Sequence, residues 1–271
     1  MYRSCCGHGC SAPVFYTHVA DGILVTGFIE DTYLRAGLIS ADKLLAELAN
    51  TIKTIHAAPL FPKKVELFPL FDDMIQKLSV SQILLESTVA ELFSYYTEIR
   101  KNYTICEADI VSSHNDLNPG NILFDGRKIW VIDWDAAFQN DRYVDLAIAA
   151  NSFVTNELQE TIFLTAYFGT PPNEQMRARL FLMKQLCFML YAMLMFKLAM
   201  EKKPCGTMQD FNIHTPNLKE ISKRLGNGSL LLSSNDGKYL YAAALLNEAL
   251  SNMRSPRFAA AIKLIAYIPA I

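Results

Sequence analysis

Apolar residues recur along the first part of the chain at two different spacings. Short apolar runs at 13–16 and 23–29 flank Asp21-Gly22, a pattern that predicts two strands joined by a tight turn. Residues 41–56 then place leucine and isoleucine at helical spacing behind Ser40, a residue type that caps helix N-termini. The N-terminal part is therefore predicted to hold a hairpin followed by a helix.

The remaining chain is predicted to be mostly helical, with one further pair of strands. Prolines at positions 59, 62 and 69 predict a loop. Strands are predicted over 121–124 and 128–133, around the turn Asp125-Gly126. Helices are predicted over 81–101, 144–152, 156–168, 174–200, 216–225, 238–252 and 256–267. The fold class is therefore α+β, with a small β-containing N-terminal piece and a mostly helical body.

Composition narrows the classes of protein that the chain can represent. Hydrophobic residues make up 51% of the 271 positions and charged residues 19%, which favours a sizeable core over disorder. The net charge of −2 argues against a dedicated nucleic-acid binder, which needs a basic surface. The N-terminus lacks the pattern of a signal peptide, and the six cysteines are interpreted as reduced thiols of a cytoplasmic protein.

One apolar stretch has the length of a membrane span. Hydrophobic character runs from residue 180 to residue 200, and a spanning helix needs about 20 apolar residues. Lys184, Gln185 and Lys197 interrupt this stretch, and Arg177 and Arg179 precede it. The sequence therefore predicts a buried core helix and no membrane span.

Four residues carry the candidate chemistry: His114, Asp116, Asn121 and Asp133. They read H-x-D-x-x-x-x-N, followed twelve residues later by an aspartate at the end of an apolar strand. Phosphoryl transfer needs in-line positioning and charge neutralisation, and Asp116 is the candidate base for an accepting hydroxyl. Asn121 and Asp133 offer the oxygen ligands that Mg²⁺ prefers. His114 could itself be a base, but its place two residues before Asp116 favours a hydrogen bond that shapes the loop.

The motif resembles that of the choline kinase and aminoglycoside phosphotransferase group, whose members are related in fold to protein kinases. The core of the resemblance is S-H-N-D-L-N-P-G-N-I-L-F-D at 113–125, V-I-D-W-D-A-A at 131–137 and D-L-A at 145–147. Weaker similarity covers 23–29, 54–59 and 166–169. The pattern looks closest to bacterial choline/thiamine kinase-like phosphotransferases.

This resemblance implies a protein-kinase-like fold with a truncated β-containing N-lobe and a helical C-lobe. Residues 1–30 would be the remnant of the nucleotide-binding lobe with its hinge, and 31–271 the C-lobe. Asp116 would be the catalytic aspartate, and Asn121 and Asp133 the Mg²⁺ ligands. ATP would be the co-substrate. The backbone of Gly27, Phe28 and Ile29 would meet its adenine edge, with Leu123 and Ile132 beneath the base and Asp145 bracing the catalytic loop.

The acceptor is expected to be a small-molecule alcohol such as choline, ethanolamine or thiamine. The predicted strand that ends at Asp133 is followed by Trp134, Asp135 and Tyr143, and Phe138 and Asn151 could join them in lining the site. Aromatic faces with a carboxylate suit a cationic alcohol through cation–π attraction. Trp134 and Phe138 could equally be core packing, and an aminoglycoside remains an open alternative. The oligomeric state is left undetermined.

The resemblance lacks a counterpart for the phosphate-covering loop and its lysine strand, because only 22 residues precede Ile23. Three explanations are open: a misassigned start, a truncated gene, or a degenerate, pseudokinase-like binding protein. The N-terminal Cys5, Cys6, His8 and Cys10 are zinc-ligand types. Four ligands within six residues cannot readily surround a tetrahedral ion, so no zinc site is predicted there.

Overall fold

The computed structural model describes residues 9–31, 37, 39–81, 84, 86–200 and 217–266. Six strands are present in these residues: β1 (Val14–His18), β2 (Ile23–Thr26), β3 (Ile110–Ser113), β4 (Ile122–Phe124), β5 (Ile129–Val131) and β6 (Phe138–Asp141). The α-helices among them are α1 (Ala41–His56), α2 (Leu67–Val80), α3 (Glu86–Asn102), α4 (Arg142–Phe153), α5 (Glu157–Phe168), α6 (Glu174–Met200), α7 (Leu218–Gly226), α8 (Asn235–Met253) and α9 (Pro256–Ala266). The predicted α+β composition is confirmed.

The chain forms two compact units, Met1–Val65 with Ile105–Met176 and Glu66–Thr104 with Arg177–Ile271. These units are defined by contacts and are not the two domains predicted from the sequence. The predicted boundary after residue 30 stays a prediction.

The first unit contains all six strands, arranged as three antiparallel pairs. β1 pairs with β2, β3 with β6, and β4 with β5. Helix α1 packs against α5 and α4, and both α1 and α4 contact β3. Leu45, Leu48 and Ile52 of α1 are fully buried, as its predicted apolar stripe requires. The oxygen of Ser40 accepts from Lys43 N at 3.4 Å, which confirms the predicted N-cap.

The second unit is helical among its described residues. Helix α2 packs against α3, and α8 contacts both α7 and α9. The predicted core helix is α6, the one described helix that is long and apolar enough to cross a membrane. In its most apolar 18-residue window 67% of the residues are buried inside the protein, which is the behaviour of a core helix.

Three elements were missed, and several strand ends differ from prediction. Helix α2 lies where the prolines predicted a loop. Pro69 is compatible with this helix because it occupies the first turn, where a backbone N–H has no helical partner. Strands β3 and β6 were also missed. Strand β2 ends at Thr26, before the predicted end at residue 29, and β5 ends at Val131, before Asp133.

The N-terminal cysteine cluster falls largely outside the described residues, since Cys5, Cys6 and His8 are not among them. Cys10 is buried, and its carbonyl accepts from Val131 N at 2.8 Å. The described residues contain no group of three or more His, Cys, Asp or Glu side chains that could hold a metal ion.

Candidate active site

The predicted catalytic loop lies between two strands of the first unit. Strand β3 leads into His114, and the loop returns through a 3₁₀ turn, Pro119–Asn121, directly into β4. Pro119 stands in the first turn of this short helix, where its fixed backbone angle is favourable. Leu117 is fully buried and anchors the middle of the loop. The sequence therefore builds a short, well-anchored loop from β3, which pairs with β6, to β4, which pairs with β5.

Asp145 of α4 binds the backbone at the start of this loop. Its carboxylate is completely buried and accepts from His114 N at 2.8 Å and from Asn115 N at 2.7 Å. His56 Nε2 lies 3.0 Å from the same carboxylate, and His56 Nδ1 lies 2.6 Å from the Tyr167 hydroxyl. Burial acts to raise the pKa of Asp145, but the hydrogen bond and charge of His56 and the contacts with His114 lower the pKa below its usual value. This arrangement agrees with the bracing role expected for Asp145.

Asn115 connects the loop to the segment before β6. Its backbone is left-handed, with a φ of 63°. Its side-chain amide donates to the carbonyls of Ser113 at 3.2 Å and Ala136 at 3.0 Å, and its oxygen accepts from Asn140 at 2.8 Å. Among the described non-glycine residues only Asn115 and Asp133 have positive φ, and both lie in the candidate site. Such conformations persist only where their surroundings enforce them, and they concentrate at functional sites.

His114 ties the loop to the chain that follows β5. The ring is fully buried. Its Nε2 lies 2.9 Å from the Ile132 carbonyl, and its Nδ1 accepts from Asp116 N at 3.3 Å. Both ring nitrogens are thus engaged by backbone groups, with the Nε2 proton donated to Ile132. This geometry favours a loop-shaping role for His114 over that of a base.

The carboxylate of Asp116 is half-buried and is held by two amide side chains. Asn118 Nδ2 donates to its Oδ1 at 2.9 Å, and Asn121 Nδ2 donates to its Oδ2 at 2.9 Å. Asn121 Nδ2 also donates to the Asp116 carbonyl at 2.9 Å. These two bonds occupy two of the about four acceptor positions that an ionised carboxylate offers.

Asn121 and Asp133 are brought to the same edge of the β4–β5 hairpin. Ile122 pairs with Val131, and Ile132 N donates to the Asn121 carbonyl at 3.0 Å. Asp133 follows immediately, with an exposed side chain. The prediction that Asp133 ends the strand was wrong in detail, because a φ of 60° is not an extended conformation. Asn121 nevertheless contacts Asp116 through its side chain and Ile132 through its carbonyl, and Asp133 is the next residue along the chain.

The donor chemistry of Asn121 and Asp133 fits Mg²⁺. Both amide protons of Asn121 are directed to Asp116, so the amide oxygen is the group that remains for a cation. Asp133 adds an exposed carboxylate. Mg²⁺ is commonly bound by one or two protein oxygens together with phosphates and waters, so two such ligands suffice.

The predicted adenine-edge residues lie just after β2. The Gly27 N–H donates to the Pro13 carbonyl at 2.8 Å, so this donor is already used within the hairpin. Phe28 is 91% exposed and Ile29 is half-buried. Asp31 follows them and its carboxylate accepts from Phe124 N at 3.1 Å, which joins this segment to β4. Leu123 and Ile132, predicted to lie beneath the base, are both half-buried.

The three predicted acceptor-site residues do not share one surface. Trp134 is buried, and its indole packs edge-on against His114 at a centroid distance of 4.7 Å and against Phe61 at 6.5 Å. Tyr143 is also buried. Asp135 alone of the three is exposed. Trp134 and Tyr143 are thus packed within the first unit, and for Trp134 this is the core-packing alternative to an aromatic cage.

Sequence reasoning missed two polar residues that shape this site. Asn118 has a recognisable signal, since an asparagine before Pro-Gly commonly caps a turn. Asp31 has none, because its partner Phe124 is 93 residues away and only the tertiary structure brings them together.

Comparison with known proteins identifies the class of protein that this fold and site define. A choline/ethanolamine kinase family protein from Mesorhizobium loti superposes with a TM-score of 0.72 at 19% identity, covering 98% of this chain and 82% of that chain. The gentamicin–APH(2")-IIa complex superposes with a TM-score of 0.55 at 16% identity, covering 75% and 73%. The chain therefore has a protein-kinase-like fold.

The sequence places the chain within one family of this class. Residues 21–179, more than half of the chain, match the phosphotransferase enzyme family. The chain belongs to that family. Protein LicA homolog of Metamycoplasma hominis is 31% identical over 146 residues, which are 53% of this chain and 56% of that protein. The curated relatives are thus matched over 56% of their own length or less.

Proposed function

We propose that this protein transfers the γ-phosphoryl group of ATP, in a Mg²⁺-dependent reaction, to the hydroxyl of a small-molecule alcohol. The observation that supports the proposal is the half-buried Asp116 carboxylate, oriented by the side-chain amides of Asn118 and Asn121. Family membership supports a kinase-type enzyme. The direct alternative is a protein that binds nucleotide without turnover.

In this proposal each site residue has one task. Asp116 accepts the proton of the acceptor hydroxyl. As it does so, the hydroxyl oxygen bonds to the γ-phosphorus, and the bond from that phosphorus to the ADP oxygen breaks. Asn121 and Asp133 hold Mg²⁺, which when bound neutralises charge on the phosphate oxygens. His114 and Asp145 keep the loop backbone in place, and Leu123 and Ile132 offer apolar surface to the adenine.

The acceptor is proposed to be a cationic alcohol of the choline, ethanolamine or thiamine type. The LicA homolog and the choline/ethanolamine kinase neighbour support this class. Asp135 provides an exposed carboxylate two residues after the proposed Mg²⁺ ligand Asp133. An aminoglycoside is the second acceptor class, supported by the neighbour solved with gentamicin. We further propose a cytoplasmic protein, since Cys106 is an exposed thiol outside any disulfide.

A coupled ADP-release assay with choline, ethanolamine, thiamine and gentamicin tests the proposal. We expect acceptor-dependent ADP release by the wild type and its loss in Asp116→Ala, with MgATP still raising the melting temperature of both proteins. Asp133→Asn is expected to weaken the response to MgATP itself. Wild-type turnover in a folded Asp116→Ala variant would contradict the role of the base. A MgATP-induced shift without turnover on any acceptor would instead support the binding protein.

A further inference from the structure

Asn118 uses both ends of its side-chain amide. Its oxygen accepts from Gly120 N at 2.8 Å and caps the 3₁₀ turn, while its nitrogen donates to Asp116 Oδ1 at 2.9 Å. A Cβ atom at Gly120 would lie 3.0 Å from the Asn118 oxygen, so glycine leaves the room for this close contact. With the oxygen fixed by the turn, the nitrogen has a fixed direction towards the carboxylate.

We propose that Asn118 is a positioning residue that fixes the plane of the Asp116 carboxylate for the accepting hydroxyl. This inference rests on the proposed function. Asn121 holds the other carboxylate oxygen and is also the proposed metal ligand, so its orientation is tied to Mg²⁺. Asn118 has no such second task and supplies a constraint independent of the metal. Two amides on opposite oxygens restrict rotation of the carboxylate.

Two substitutions separate this role from simple capping of the turn. Asn118→Asp retains an oxygen that can accept from Gly120 N but removes the donor to Asp116. Asn118→Ala removes both. If Asn118 only stabilises the turn, Asn118→Ala lowers the melting temperature but keeps the wild-type kcat at temperatures where it is folded. If it positions Asp116, both variants lose kcat by about 10- to 100-fold, as small misplacements of a reacting group do. The KM for MgATP should stay unchanged in Asn118→Ala.

A second measurement tests the contact without any need for turnover. The side-chain amide signals of Asn118 can be identified in a ¹H–¹⁵N spectrum by their loss in Asn118→Asp. We expect them to shift in Asp116→Ala and to stay in place in Asp42→Asn, a matched change at an exposed carboxylate of the same unit. Unmoved signals in Asp116→Ala, or wild-type kcat in Asn118→Asp, would overturn the inference. Shifted signals in a protein with no turnover would instead overturn the proposed function and leave the contact supported.

Discussion

Replacement of Asp145 by asparagine offers the sharpest test of how the catalytic loop is held. The substitution preserves volume, so it creates no cavity, but it removes the charge and one of two acceptor oxygens. The carboxylate now receives two backbone N–H groups, at 2.8 and 2.7 Å, and faces His56 at 3.0 Å. In Asp145→Asn the new NH₂ group would face a donor that it cannot bind.

The expected loss can be worked out from these contacts. A hydrogen bond to a charged group contributes about 1.5–3 kcal/mol, and an unpaired buried donor costs about 1–3 kcal/mol. One bond is lost and the others are weakened, so we expect Asp145→Asn to lower the free energy of unfolding by about 2–4 kcal/mol. Native proteins are stable by only about 5–15 kcal/mol, so this is a large fraction of the total.

Urea unfolding followed by circular dichroism and tryptophan fluorescence provides the assay. Trp134 packs against His114 and Trp130 lies in β5, so tryptophan emission reports on the strands and loop of the site, whereas circular dichroism reports on the helices. The control is Asp135→Asn, the same substitution at an exposed carboxylate, expected to change stability by less than about 0.5 kcal/mol. If Asp145→Asn were as stable as this control, with unchanged emission, the buried carboxylate would not be what holds the loop.

Three further predictions follow from burial, backbone conformation and charge. Leu117→Ala should lower the free energy of unfolding by about 2–5 kcal/mol, because the side chain is fully buried; an effect below 1 kcal/mol in urea would contradict its anchoring role. Gly169→Ala should lower the free energy of unfolding by about 1–2 kcal/mol, since Gly169 caps the C-terminus of α5 at a φ of +78°. The control is Gly226→Ala, at a helical position without positive φ, which should be neutral or stabilising. Equal effects of the two substitutions in thermal melts would refute this reasoning. The lowered pKa of Asp145 means that its contribution is present above the unfolded pKa of about 3.9 and is lost as pH falls through the folded value, so the wild type should lose stability in acid more steeply than Asp145→Asn.

Local signals predicted that Asp116 and Asn121 lie together, because the two residues are close in sequence. Asp116 and Asn121 are five residues apart, and the turn chemistry of Pro119-Gly120 predicts a tight loop between them. The Asp125-Gly126 turn likewise predicts the hairpin that returns the chain towards Asn121. Helix α2 was not predicted for an equally local reason. Proline breaks a helix everywhere except in the first turn, which is where Pro69 lies.

What the sequence determined by itself was the fold class, most helices, and the residues that gather around the loop, because propensities, caps and short-range spacing act over a few neighbouring residues. Tertiary structure alone decided that Trp134 and Tyr143 are packing residues and that His114 bridges to Ile132. It also decided that Asp31 reaches Phe124 and that Asp145 receives the loop's backbone donors. Burial and long-range hydrogen bonds depend on which distant segments meet in space, and no local pattern records that.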